Sequence, residues 1–190
     1  MPRVSGTKRS ILDAALELAS LNGITGTTME DVAVRAGVAK GSVYYNFSSK
    51  DKLFEQLLLD GIGALAETLR QARGGRSGSA ALGSMITAML EVISGNQPLA
   101  KLIAAEIFRT DRSWQAPLQM VRREALAEFV AVIRGIRPER PDAELMAGTI
   151  FGAVLVGGIE WLVFSPERSL REVSESVLFT LSGQLTAPAA

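Results

Sequence analysis

Thr27-Thr28-Met29-Glu30-Asp31-Val32-Ala33-Val34-Arg35-Ala36-Gly37-Val38-Ala39-Lys40-Gly41-Ser42-Val43-Tyr44-Tyr45-Asn46-Phe47 is the stretch that decides the fold. Either threonine can cap a helix, and an acid stands three residues on, the capping-box spacing. Met29, Val32, Ala33 and Ala36 then recur at helical spacing as one apolar stripe. Gly37 stops that helix, because glycine supplies the left-handed cap without a side-chain penalty. A second short helix begins near Ala39-Lys40 and reaches about Tyr45. Two short helices on a tight turn have the geometry of a helix-turn-helix, in which the second helix enters the major groove of DNA. Ala33 is small enough for close packing, and Val38 and Val43 fill the space between the helices.

With those residues turned inward, Lys40, Gly41, Ser42, Tyr44 and Tyr45 fall on or near the outer face. Lysine donates to guanine or phosphate, and serine hydroxyl bonds to either. Tyrosine reaches phosphate with its hydroxyl while its ring can touch a thymine methyl. Gly41 lets the helix approach without a side chain in the way. Thr28, at the positive end of its helix, offers hydroxyl and amide to a phosphate, and Lys50 and Lys52 offer charge. Adjacent helical residues point about 100° apart, so Tyr44 is expected to be partly packed and Tyr45 exposed. Phe47 belongs to the core. Arg3, Lys8 and Arg9 are candidates for an arm reaching the minor groove.

Working outward, Ile11, Ala15, Leu18 and Ala19 make one face of a first helix that ends near Asn22-Gly23. Ser48-Ser49-Lys50-Asp51 repeats the capping signature and opens a long helix with Leu53, Phe54, Leu57, Leu58, Gly61, Leu65 and Leu69 on one side. Arg73-Gly74-Gly75-Arg76-Ser77-Gly78-Ser79 is the most loop-like stretch of the chain. Beyond it the periodicity predicts helices at 80–94, 97–109, 114–135, 142–164 and 168–184. The fold class is therefore all-α with about nine helices. The expected division is a head at 1–52 and a larger helical domain at 53–190, with helix 49–73 connecting them.

Composition bounds the chemistry. The chain has 190 residues, 47% of them hydrophobic and 21% charged, enough to bury a real core. It has no cysteine and no histidine, which removes disulfides, thiolate nucleophiles, the commonest general base and the commonest metal ligand. No metal site and no cofactor is expected. Formal net charge is zero, and the first 55 residues hold seven bases against six acids. A DNA-binding face must therefore come from arrangement and not from bulk charge. The basic N-terminus lacks the apolar core of a secretory signal, so the expected location is the cytoplasm. Leu145 to Ile159 is uncharged and apolar, but its 15 residues fall short of the roughly 20 a bilayer-spanning helix needs, and no membrane partner is expected.

The run from Thr27 to Phe54 resembles the signature of the TetR family, with capping residues, turn glycine, paired tyrosines, phenylalanine and lysine in one register. The resemblance covers roughly residues 8–60 and implies a homodimeric regulator that binds a double-stranded DNA operator and senses a small-molecule effector. By this resemblance Thr28, Lys40, Gly41, Ser42, Tyr44, Tyr45, Asn46 and Lys50 stand at positions that touch DNA. Asn46 stands where histidine is frequent, which keeps a phosphate donor without its charge. Ala39 stands where serine or threonine often caps the recognition helix, a loss of about 1 kcal/mol of local stability.

The second half matches that family only in helical layout. The helix at 142–164 carries four glycines and is apolar on nearly every side, so it must be covered all round. It is read as a dimer helix, paired with 168–184, whose stripe is Val173, Val177, Leu178, Leu181 and Leu185. Two-fold symmetry then predicts a pseudo-palindromic operator. Candidates for a ligand pocket are Met85, Met89, Ile103, Phe108, Trp114, Leu118, Phe129, Phe151 and Leu155. Glu106 and Arg122 join them as charges on apolar faces, which bind each other or a polar ligand group. The expected function is a repressor released by a small, largely apolar effector. The alternatives are a helical regulator or adaptor without an effector, and a carboxylate-based helical enzyme using Glu106 or Glu160.

Overall fold

The computed structural model describes residues 6–107, 109 and 111–186, with side chains through Leu181. Arg3, Phe108 and the side chain of Leu185, named above, lie outside the described residues. Among the described residues there are nine helices and no strand. They are α1 (Gly6–Gly26), α2 (Met29–Ala36), α3 (Lys40–Asn46), α4 (Lys50–Arg73), α5 (Gly78–Gly95), α6 (Gln97–Glu106), α7 (Gln115–Ile136), α8 (Ala143–Phe164) and α9 (Leu170–Thr186).

Local chemistry places most of the boundaries. Gly23 takes φ 69° and ψ 166°, a positive φ that favours glycine; the chain kinks there but adds one more turn before Thr27. Gly37 takes φ 66° and ψ 33° as the cap of α2. Ser49 caps α4 by accepting the Lys52 amide at 3.2 Å. Asn96 caps α6 by accepting the Leu99 amide at 3.2 Å, with Pro98 in the first turn, where its missing N–H costs nothing. The sixth helix stops at Glu106 and not at 109.

α4 holds the molecule together. Its inner stripe, Leu53, Phe54, Leu57, Leu58, Ile62, Leu65, Ala66 and Leu69, is buried throughout. Burying each of its larger side chains stabilises by about 1.5–3 kcal/mol. The helix packs along α7 and α5, and it also packs on α1. α1 in turn lies against α2 and α6, so the three-helix head rests on the body through α1 and α4. One continuous set of buried side chains runs from Ile11 to Leu181.

The length argument against a membrane span does not survive. α8 spans 22 residues, and by length and composition alone both α8 and α5 could cross a membrane. Packing accounts for part of their apolarity: Met85, Ile86, Met89 and Leu90 of α5 are fully buried, as are Ala147 and Val154 of α8. Gly158 permits close approach of the two helices, since a Cβ there would lie 3.0 Å from Ile93 Cδ1 and 3.1 Å from Leu90 Cδ2.

Candidate nucleic-acid interface and apolar cleft

The head is built from its caps. Thr28 Oγ1 accepts the Asp31 amide at 3.1 Å, and the Thr28 amide donates to Asp31 Oδ2 at 3.2 Å. This completes the capping box read from sequence. The Thr28 hydroxyl also donates to Asp31 Oδ2 at 2.6 Å, so its polar groups already have an internal partner. After Gly37, the Val38 amide returns to Ala33 O at 3.0 Å, tying the turn to α2. Val43 and Phe47 seat α3, at 0% and 4% exposure.

The other face of α3 looks outward. Tyr45 is 91% exposed and Tyr44 47% exposed, the division expected from their spacing. Lys40 is exposed and its Nζ lies 3.1 Å from Glu30 Oε2, which holds it beside α2. Nothing stands within 4 Å of a Cβ built on Gly41, so the protein itself does not require glycine there. Ser42 is half-buried, and the Asn46 side chain donates to Ser42 O at 2.8 Å. No side chain caps α3 at Ala39. Lys8 stacks over Phe47 at 5.4 Å, and Lys52 pairs with Glu55 at 2.6 Å.

Lys50 sits differently from the expectation. Its ammonium donates inward, to the carbonyls of Ile24, Thr25 and Thr27. The first turn of α4 also touches the body, where Ser113 Oγ donates to Asp51 Oδ2 at 3.0 Å. Neither contact was read from sequence, because each joins residues 23 to 62 positions apart that no local pattern brings together.

In the body, a small apolar cleft of about 30 Å³ lies between α4, α5, α6 and α8. Of the predicted pocket residues, Met89, Ile103, Phe151 and Leu155 line it. Met85, Trp114, Leu118 and Phe129 are buried in the core without lining it. The lining not foreseen includes Gly61, Leu65, Ile93 and Leu99. Gly61 is the informative one: a Cβ there would come 2.9 Å from Leu99 Cδ2. A glycine in the apolar stripe of α4 was the signal available in the sequence.

The charge pairing differs from expectation. Glu106, 5% exposed, is held by Arg112 at 3.0 and 3.2 Å, and not by Arg122. Arg112 comes from the loop that leads into α7, where it also stacks over Trp114 at 5.2 Å. Arg122 instead lies over the Phe151 ring at 5.9 Å. Glu160, the other carboxylate considered, is exposed on α8.

The apolar surface of α8 and α9 is also arranged differently. The predicted stripe of α9 turns into the protomer's own core. Val173 and Leu181 are each 8% exposed, Leu178 packs 3.5 Å from the Cβ position of Gly83, and Val177 3.9 Å from that of Gly157. Leu145, Val156 and Phe164 of α8 and Phe179 of α9 are outward apolar residues more than half exposed, and Val163 of α8 is 45% exposed beside them in sequence.

A capped helix-turn-helix with an exposed aromatic on its second helix, set on an all-helical body, defines a DNA-binding transcription regulator. Residues 11–57, which make up most of the head and the start of α4, match the profile of "Bacterial regulatory proteins, tetR family". It is 28% identical over 104 residues to the transcriptional repressor KstR2 of Rhodococcus jostii, a match covering 54% of this chain and 51% of that one. The match thus spans about half the length of that relative. It is 24% identical over 178 residues to the fatty acid metabolism regulator protein of Bacillus subtilis, covering 88% of this chain and 90% of that one. The solved structure of the regulator FadR from Bacillus subtilis, in complex with stearoyl-CoA, has the same fold. Its TM-score is 0.79 at 23% identity, over 91% of this chain and 96% of that one.

Proposed function

We propose that this chain is a cytoplasmic repressor that binds a pseudo-palindromic operator as a homodimer and leaves it when a small, largely apolar effector opens the cleft. The observation that carries the DNA half is Tyr45, a large ring left 91% in water on a helix whose opposite face is anchored by Val43 and Phe47. Beside it, Lys40, Gly41, Ser42 and Tyr44 form one outward surface, with Lys52 near its edge. Residues 1–52 do the binding, and residues 53–190 sense and pair. The outward apolar face of α8 and α9 is the proposed pairing surface, and a pseudo-palindromic operator requires the two copies of α3 to stand about one DNA turn apart, roughly 34 Å.

The test is salt-dependent binding to a duplex selected by the protein from random-sequence DNA. Tyr45→Ala is expected to weaken binding at least about tenfold, about 1.4 kcal/mol. Its thermal midpoint should not move, because an exposed side chain with no packing role changes stability by under about 0.5 kcal/mol. Unaltered affinity would remove Tyr45 from the interface.

For the effector, the apolar lining suits an acyl chain, and stearoyl-CoA, the ligand of the Bacillus subtilis structure, is the first probe. A cleft of about 30 Å³ has the volume of about one water molecule, whereas ligand pockets run to roughly 300–1,000 Å³. Binding therefore has to part α6 from α4 and α5. The path outward runs along α6, from Ile103 to Glu106, through Arg112 to its neighbour Ser113, and on to Asp51 at the start of α4. An effector favouring the open state about 100-fold would shift the equilibrium by roughly 2.7 kcal/mol. The small size of the cleft also favours a second reading, a regulator with no small-molecule effector. Operator affinity unaffected by stearoyl-CoA and by a broad panel of apolar acids and sterols would select it.

A further inference from the structure

Lys50 stands where a phosphate contact is expected, and its surroundings point elsewhere. An ammonium has three N–H donors and no acceptor. Nζ lies 3.1 Å from Ile24 O, 3.3 Å from Thr25 O and 3.0 Å from Thr27 O, so three donors meet three carbonyls. These oxygens belong to the bend between α1 and α2, which Gly23 opens at φ 69°. Within the bend, Thr27 Oγ1 donates to Gly23 O at 2.9 Å and the Thr27 amide to Ile24 O at 3.3 Å. Ile24 and Thr27 are 3% and 1% exposed, which anchors the bend in the head at two points, while Thr25 and Gly26 between them are exposed. Carbonyls at a helix end carry partial negative charge, and three converging ones make a seat for a cation. Turning Lys50 out to a phosphate would strip all three at once.

We propose that Lys50 is a positioning residue and not a phosphate ligand. It ties the first turn of α4 to the α1–α2 bend and thereby sets where the N-terminus of α2, which begins at the Thr28 cap, meets the DNA backbone. Lys40 and Lys52 remain the outward cations of the same face. The last step rests on the DNA-binding reading above, whereas the tie itself is a property of the free protein.

The test uses the full chain with Lys50→Met, which keeps length without donors, and Lys50→Gln, which keeps N–H donors without charge. In the free protein, amide exchange over residues 24–32 should speed up in Lys50→Met, stay slow through α5 to α9, and be partly restored in Lys50→Gln. On the selected duplex, Lys50→Met should bind about tenfold more weakly with the slope of log affinity against log salt unchanged, and Lys50→Gln should recover part of the loss. A slope reduced by about 0.9 per protomer, with the two variants equally weak, would overturn the proposal, as would unaltered exchange over 24–32. If Lys50→Met does not fold, Lys50→Gln is read against wild type by the same two criteria. Should the wild-type chain bind no DNA, the proposed function fails, and the exchange experiment still decides whether Lys50 holds the bend.

Discussion

Glu106 carries a carboxylate into the core at the end of the helix that lines the cleft, and Arg112 meets it with two hydrogen bonds. A paired charge in such a place contributes little net stability, but removing one partner leaves the other desolvated and alone. The Arg112 side chain is 18% exposed, so water recovers part of that cost. Glu106→Gln is therefore expected to lower unfolding stability by about 2 kcal/mol, read from urea melts, and to weaken any response to effector. An unchanged melting curve would mean that the pair is not part of the coupling path. At this scale the sequence was most readable where chemistry is local. The capping box and the outward Tyr45 both follow from spacing within a single helix turn. The partners of Glu106 and Lys50 did not follow, since a long flexible cation chooses among distant acceptors only once the helices have docked.

Helices were legible wherever a cap residue or a glycine marked their ends, as at Thr28, Gly37 and Ser49. The inward or outward sense of an apolar stripe was harder. α9 carries a stripe at helical spacing, and such a stripe fits a protomer core and a dimer face equally well. Only the approach of Leu178 to Gly83 and of Val177 to Gly157 decides for the core. Gly61 shows the same dependence on neighbours. A methyl group there would meet Leu99 at 2.9 Å and push that side chain into the cleft. Gly61→Ala is expected to leave operator affinity within a factor of about two, under 0.5 kcal/mol, while abolishing release by stearoyl-CoA. Full release by the variant, in the same binding assay, would place the effector elsewhere.

For the molecule as a whole, the outward apolar residues of α8 set the expected assembly. Val156 is 63% exposed, and Val156→Asp should change the protein from dimer to monomer in sedimentation while the protomer keeps its helical signal. Operator affinity should fall with it, because two half-sites are then no longer held together. The charge inventory fixes the pH behaviour. A hydrogen bond from Arg109 lowers Asp111 to about 2, Arg140 lowers Asp142, and the Ser169 amide and hydroxyl lower Glu172. Carboxylates with depressed folded-state values contribute stability that is present above their ordinary values and is lost as pH falls through the depressed ones. With no histidine or cysteine in the chain, the thermal midpoint should stay level from about pH 6 to 8 and decline between about pH 4 and 2. A decline that begins above about pH 5 would contradict this assignment.

The first turn of α4 has one further consequence, for anyone exchanging parts between relatives. Ser49, Lys50 and Asp51 are consecutive, yet one caps the helix, one grips the head and one accepts a hydrogen bond from Ser113 of the body. A graft cut at residue 52 carries the grip on the bend with the transplanted head but leaves the Ser113 hydroxyl behind on the old body. Such a hybrid should still read the donor's operator. To answer the recipient's effector it would have to rebuild the packing of α1 on α6 and also offer a hydroxyl where Ser113 stood, so compatibility between heads and bodies rests on that packing and this donor together.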